Sequence, residues 1–183
     1  MTSPDSADSP DLSPRPPSAS RVSMTELVLP SHANAVGTMF GGTLMAWIDI
    51  CAAIAAQRHS RGWVVTASMD QLDFDSPIQV GDVVSLTSQV NFAGRSSMEV
   101  GVRVEREVPT AGERVHAARA YLTFVAIDAA GKARPVPPIA PVTEEEHIRF
   151  EEASIRKAKR LEAAHARRIR AAERDARRSS SEG

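Results

Sequence analysis

The chain has 183 residues, 42% apolar and 25% charged, with a net charge of −1 at pH 7. That length suits one ordinary domain with additions rather than two independent enzyme domains, and the near-neutral balance argues against indiscriminate electrostatic binding of nucleic acid. A single cysteine, Cys51, excludes an internal disulfide or a multi-cysteine metal site and fits a reducing, cytoplasmic setting.

In chain order, residues 1–23 hold five of the twelve prolines among Ser and Asp, a composition expected to stay disordered. No basic segment followed by an apolar stretch opens the sequence, so no export signal is expected. A short strand is expected over Met24–Leu29, then a glycine-bearing loop, then a helix from about Gly42 to His59 that stops near Gly62. That helix is apolar around its whole circumference, from Leu44 through Trp47 and Ile50 to Ala56, and must be wrapped on all sides. Asp49 interrupts its apolar run, which is too short for a bilayer span of about 20 residues; no membrane association is expected.

Two-residue alternation marks further strands over Trp63–Phe74, Asp82–Phe92, Ser97–Glu105 and Arg114–Ile127, the middle two joined by a hairpin at Ala93-Gly94-Arg95-Ser96. The expected fold is therefore α+β over residues 24–142. A five-stranded antiparallel sheet wraps a central apolar helix, with a partly polar outer face that meets solvent or another subunit. After the proline-rich segment Pro135–Pro141, residues 143–183 read as a charged C-terminal helix with a frayed end. Thr143 and Glu146 form a capping box at its start. Its first part, 144–155, has five Glu against Arg149, and 156–178 has ten Arg or Lys against three acids, the order that suits the helix dipole.

Two features carry chemistry. Asp49 is a carboxylate in an apolar helix with no Lys or Arg within a turn, a placement costing several kcal/mol unless it is paired. It suits a general base or a nucleophile; the plainer reading is an Asp that caps a neighbouring segment or faces an inter-subunit salt bridge. The run His32 to Gly42 ends at the helix start, where the amides of Gly41 and Gly42 lack helical partners and could polarise a substrate oxygen. Tandem glycine also serves simply to permit tight packing. Gly41 and Asp49 are eight residues apart, roughly 12 Å along one helix, so they cannot serve one carbonyl within one chain. If both act in one site, two helices meet across a two-fold axis, and function requires a dimer.

The run Asn34-Ala35-Val36-Gly37-Thr38-Met39-Phe40-Gly41-Gly42-Thr43-Leu44-Met45-Ala46-Trp47-Ile48-Asp49 resembles the helix-start motif of hot-dog-fold acyl-CoA thioesterases of the cytosolic acyl-CoA hydrolase type. Arg58-His59, Val64 to Ser68, Phe74 with Pro77-Ile78, Gly81-Asp82, Ser96 to Val100 and Ala118 to Val125 extend the likeness over about residues 24–160. The resemblance implies hydrolysis of fatty acyl-CoA to CoA and a free acid, with no cofactor beyond the CoA of substrate and product. It also implies Asp49 and Asn34 as catalytic residues contributed by opposite protomers, and assembly as a homohexamer, a trimer of dimers. Gly41 and Gly42 would bind the carbonyl. Some other hot-dog thioesterases place a Thr one turn after the acid; Ala53 stands there in this chain, so water must be positioned by something else.

For CoA, the likeness points to Arg58, His59 and the hairpin Gly94, Arg95, Ser96 and Ser97. The basic segment Arg156, Lys157, Lys159 and Arg160 would approach a CoA phosphate or lie on a neighbouring subunit. Cys51 reads as a small core residue, and His32 lacks ligand-spaced companions for a metal. Asp70, Asp73 and Asp75 read as solvent-exposed acids at a strand end. An acyl-CoA hydratase on the same fold would need a His at the helix start, where this chain has none; a non-catalytic acyl-CoA sensor remains the alternative from another class.

Overall fold

The computed structural model describes residues 11–181. Its elements are β1 (Val22–Leu27), α1 (Gly41–Ser60), β2 (Val64–Phe74), β3 (Val83–Ala93), β4 (Ser97–Val108), β5 (Glu113–Ala126) and α2 (Glu144–Ser181). The five strands form one antiparallel sheet in the order β1-β3-β4-β5-β2. The expected α+β arrangement of one sheet on one apolar helix is therefore present, and each strand boundary falls within a few residues of its expected place.

Period-two alternation aims Val84, Leu86 and Val90 of β3, Met98, Val100, Val102 and Val104 of β4, and Ala120, Leu122 and Phe124 of β5 at a single layer, where all are buried. Leu44, Ile48, Cys51, Ala52, Ala55 and Ala56 of α1 complete that layer. The Cys51 thiol lies 3.3 Å from Ser88 Oγ inside it, and burial pushes that thiol above its ordinary pKa.

The expectation that α1 is wrapped on all sides is corrected. An open sheet reaches one side of a helix, and the opposite side keeps Met45 at 43% and Ile50 at 50% exposure. Asp49 lies half-buried on that flank. No helix among the described residues is long and apolar enough to cross a membrane.

Two other expectations change. Residues 1–10 of the supposed disordered tail lie outside the described residues, but residues 15–22 dock on the rest of the protein. Pro17–Ser20 form a single 3-10 turn with Pro17 and Ser20 buried. Ser20 Oγ accepts the Val90 N–H at 2.9 Å, and Arg15 exchanges backbone bonds with Pro138 and Ala140. The proline-rich composition therefore makes a strap whose polar groups are satisfied by the sheet and by the 135–141 segment.

His59, expected to contact CoA, is instead a core residue at 1% exposure. Its Nε2 donates to the Pro137 carbonyl at 2.8 Å, and its own carbonyl accepts from Arg15 Nη1 at 2.6 Å. Burial pushes its imidazole below the ordinary pKa of 6.5, against the Pro137 bond and with the repulsion of Arg15.

The capping box of α2 forms as expected: Thr143 Oγ1 accepts the Glu146 N–H at 3.2 Å, and Glu146 Oε2 accepts the Val142 and Thr143 N–H groups. Glu146 Oε1 also takes the Ser18 N–H, tying the strap to α2. Beyond that point α2 crosses the outer face of its own sheet rather than a neighbour's. Phe150 stacks on Phe92, and Arg156 lies 3.8 Å over the Tyr121 ring. Both Arg156 and Arg160 pair with Glu99, at 2.7 and 2.8 Å; the Glu99 side chain is fully buried. Arg160 reaches on to Asp70 of β2 at 2.6 Å; Asp70 is exposed, as expected, and is also an ion-pair partner.

Replacing Glu99 by Ala strands two arginines against the sheet. Breaking a buried pair costs roughly 3–5 kcal/mol, and because both arginines keep some solvent contact the expected loss is about 2 kcal/mol by urea unfolding. A second outcome follows from His59. Its lowered pKa means the unfolded chain binds the proton more readily, so stability falls as pH drops below about 6.5 and is unaffected by this group above it. Urea midpoints measured between pH 7.5 and 5.5 should show a shallower decline in His59→Gln; an unchanged slope would contradict the burial account.

Candidate active site

The loop before α1 is built by Asn34. Its Oδ1 accepts the N–H groups of Val36 and Thr38 at 3.0 and 3.2 Å, and its Nδ2 donates to Thr38 Oγ1 at 2.8 Å. The turn is closed by Asn34 N–H to Thr38 carbonyl at 2.7 Å, with Gly37 at φ +83°. Asn34 is therefore the organiser of its own turn in one protomer. His32 contributes by packing edge-on against Trp47 of α1, with ring centroids 5.1 Å apart.

The two glycines separate in role. A Cβ at Gly42 would sit 2.3 Å from the Phe40 ring, so this position is glycine for packing, as the plainer reading held. Gly41 instead lines a cavity of about 420 Å³, together with Thr38, Met39, Leu44, Phe74 and Ile78. The helix carries no side-chain cap, and its first-turn N–H groups at Gly41 and Gly42 have no acceptor among the described residues. An uncapped helix start beside an apolar cavity is a site for a carbonyl oxygen or an anion.

Asp49 has a partner that the sequence did not announce. Thr66 of β2 donates its hydroxyl to Asp49 Oδ1 at 2.8 Å. The sheet bulges directly after it, the register shifting between Thr66 and Ser68. Thr66 supplies the hydroxyl that Ala53 lacks, from another element and 17 positions away in sequence. A Thr in the recognised Val64 to Ser68 run was the only available signal. Asp49, Thr66 and Asn34 do not line the cavity at Gly41. One protomer thus holds a helix start with an apolar pocket and, about 12 Å further along α1, a hydrogen-bonded carboxylate.

Of the other expected contacts, Arg58 is exposed and donates to the Arg21 carbonyl. The hairpin is closed by Gly94 N–H to Ser97 carbonyl at 2.7 Å, and the Arg95 and Ser96 carbonyls take the N–H groups of Val136 and Ala126. Arg95 is exposed at its tip. Lys157 of α2 lies over Phe92 at 4.5 Å, with its Nζ 3.1 Å from where a Gly94 Cβ would stand. The hairpin is therefore a basic corner, while Arg156 and Arg160 are taken up by Glu99 and do not contribute to it.

Comparison with known proteins agrees with this geometry. The thioesterase superfamily profile matches residues 36–113. The uncharacterized acyl-CoA thioester hydrolase YkhA of Bacillus subtilis (strain 168) is 51% identical over 127 residues, 69% of this chain and 74% of that protein. The chain spans 39% of the longer cytosolic acyl coenzyme A thioester hydrolase of Mus musculus, at 38% identity. An apo-hexameric acyl-CoA thioesterase superposes with a TM-score of 0.80 at 45% identity, over 83% of this chain and 97% of that one. The acyl-CoA hydrolase of Staphylococcus aureus, solved with butyryl coenzyme A, coenzyme A and coenzyme A disulfide, gives 0.75 at 40% identity, over 83% and 95%. With an apolar helix backed by one antiparallel sheet, an uncapped Gly41-Gly42 helix start and a helix-borne Asp49, this chain belongs to the hot-dog-fold acyl-CoA thioester hydrolases of the thioesterase superfamily.

Proposed function

We propose that this protein hydrolyses the thioester of fatty acyl-CoA at a site shared by two protomers, with Asp49 of one facing Asn34 and the Gly41-Gly42 helix start of the other. The observation that carries this reading is Asp49 held by Thr66 on the open flank of α1. In the Staphylococcus aureus hydrolase, alanine variants have been solved at an asparagine, an aspartate and a threonine spaced 15 and 17 residues apart. Asn34, Asp49 and Thr66 are the same residue types at the same spacing.

The chemistry follows from the donors present. The carbonyl oxygen of the thioester takes the Gly41 and Gly42 N–H groups, which stabilise the charge that builds there. Thr66 holds Oδ1 of Asp49, and Oδ2, without a partner among the described residues, takes a proton from water. The water oxygen bonds to the carbonyl carbon, the C–S bond breaks, and the proton passes to the leaving CoA sulfur. Asn34, through its second amide hydrogen, orients that water. The apolar lining of Met39, Leu44, Phe74 and Ile78 receives the start of the acyl chain. The basic corner of Arg95 and Lys157 suits the phosphates of CoA.

Assembly is part of the proposal. The open side of α1 exposes Met45 and Ile50, and the unpaired edge strand β2 exposes Val65 at 46% and Phe74 at 56%. A second copy covering both would complete the wrapping of the helix. The hexameric relatives support further assembly as a trimer of dimers.

Asp49→Asn should lower kcat at least 100-fold without changing the assembly, read as thiol release from a panel of acyl-CoA lengths; near-normal turnover would sink the assignment. Thr66→Val should cost about tenfold or more, the value of a hydrogen bond to a charged group. Mixing Asp49→Asn with Asn34→Ala subunits should restore about a quarter of wild-type activity, because half the dimers are mixed and each then holds one intact site of two. Single-turnover hydrolysis in ¹⁸O-water should label the released acid and leave the Asp49 carboxylate unlabelled; label in Asp49 would replace the water route with direct attack.

A further inference from the structure

The outer face of the sheet carries a second recess, of about 220 Å³, roofed by α2. It shares no lining residue with the cavity at Gly41. Its floor is formed by Asn91 of β3, Gly101 and Arg103 of β4, and Arg119 and Tyr121 of β5. Three features of that floor stand out.

The first is Asn91, which is 2% exposed and whose Oδ1 has no hydrogen-bond partner among the described residues. A buried acceptor left unpaired forfeits its hydration without return. The second is Gly101. Its backbone is ordinary strand, not among the positive-φ glycines, so no conformational need explains it. A Cβ there would fall 2.5 Å from Asn91 Nδ2 and 3.4 Å from the Tyr121 ring, so the missing side chain is what keeps the recess open and Asn91 in place. The third is charge. Arg103 and Arg119 are direct cross-strand partners between β4 and β5, and like charges so placed repel. The acids at the rim are already engaged, Glu145 with Arg149 at 2.5 Å and Glu152 with Arg156 at 3.7 Å. Arg103 holds Glu105 at 3.0 Å, and Arg119 stands opposite Asp73 of β2 in the strand register.

We propose that this recess binds a small oxyanion that also carries a hydroxyl, namely inorganic hydrogen phosphate. The anionic oxygens take the guanidinium N–H groups of Arg119 and Arg103, offsetting their mutual repulsion. With the Asn91 carboxamide turned over, so that Oδ1 takes the place beside Gly101 held by Nδ2, the hydroxyl donates to Oδ1. Either orientation of the Asn91 carboxamide is served, because the same group both donates and accepts. The volume is several times that of one water, which occupies roughly 30 Å³, enough for one hydrogen phosphate ion. Since β4, β5 and α2 all line the recess, its occupant braces the helix on the sheet.

The probe is inorganic phosphate, titrated into the full-length protein at pH 7 with saturating CoA present to fill the substrate site, and with ionic strength held constant by NaCl. Millimolar phosphate should raise the Tm by several degrees above the NaCl control. Arg119→Gln should weaken phosphate binding at least tenfold while leaving kcat for acyl-CoA unchanged. Gly101→Ala, which displaces Asn91, should weaken it similarly; should that variant fold poorly, Arg119→Gln alone decides. A phosphate response no different from NaCl, or equal binding by Arg119→Gln, would overturn the site. Sulfate, which carries no proton at pH 7, should bind more weakly, and equal binding would overturn the role given to Asn91.

Discussion

The structure turns on a helix with more apolar surface than its own chain can cover. An amphipathic helix would be satisfied by one sheet, but α1 is apolar all round, and the sheet buries only the side bearing Leu44, Ile48, Cys51 and Ala55. The remaining side keeps Met45 and Ile50 exposed with Asp49 half-buried among them, and in the proposed dimer a second copy covers it. This deficit links fold to function. The residue with the strongest claim to chemistry lies where the protomer is incomplete, and the helix start that would polarise a carbonyl lies about 12 Å away on the same rod. A rigid helix holds those two groups apart in one chain, and only a second helix can bring their counterparts together.

The other face of the sheet is governed by charge rather than apolar area. Glu99 is fully buried between strands and α2, a position tolerable only because Arg156 and Arg160 both reach it. That triad, the Phe92–Phe150 stack and the Glu146 cap hold α2 across the sheet along its first half. Arg160 also grips Asp70, four residues beyond Thr66 on β2. The C-terminal helix and the strand that supplies the hydroxyl to Asp49 therefore share one anchor. The strap at Pro17–Ser20 closes the same face from the opposite end through Ser18 and Glu146.

Most of the sheet and both helices were legible in the sequence, because each rests on a local period. The alternation of Met98 to Val104, the uninterrupted apolar run of Leu44 to Ala56 and the Thr143 to Glu146 cap are all read within one element. Asp49 was legible for the same reason, as an ionisable group that breaks a local pattern. The partner of Asp49 was not: Thr66 is one of many threonines in strands, and only the crossing of β2 over α1 gives it meaning. His59 went the other way. Next to Arg58 in sequence it reads as part of a basic pair, yet a helix sends adjacent residues to different sides, Arg58 outward and His59 into the core beneath Pro137.

The sequence by itself determined the one-domain α+β plan, the wholly apolar helix, the glycine-led helix start and the anomalous carboxylate, since these follow from residue type and short-range spacing. Tertiary structure decided that the helix is covered on one side only, that Gly42 serves packing while Gly41 faces a cavity, that residues 15–22 are a packed strap, and that Arg156 and Arg160 are spent on Glu99. Those outcomes depend on which groups from distant segments compete for the same partner. Competition of that kind is resolved by three-dimensional proximity and the cost of leaving a buried polar group unpaired, neither of which a linear pattern carries.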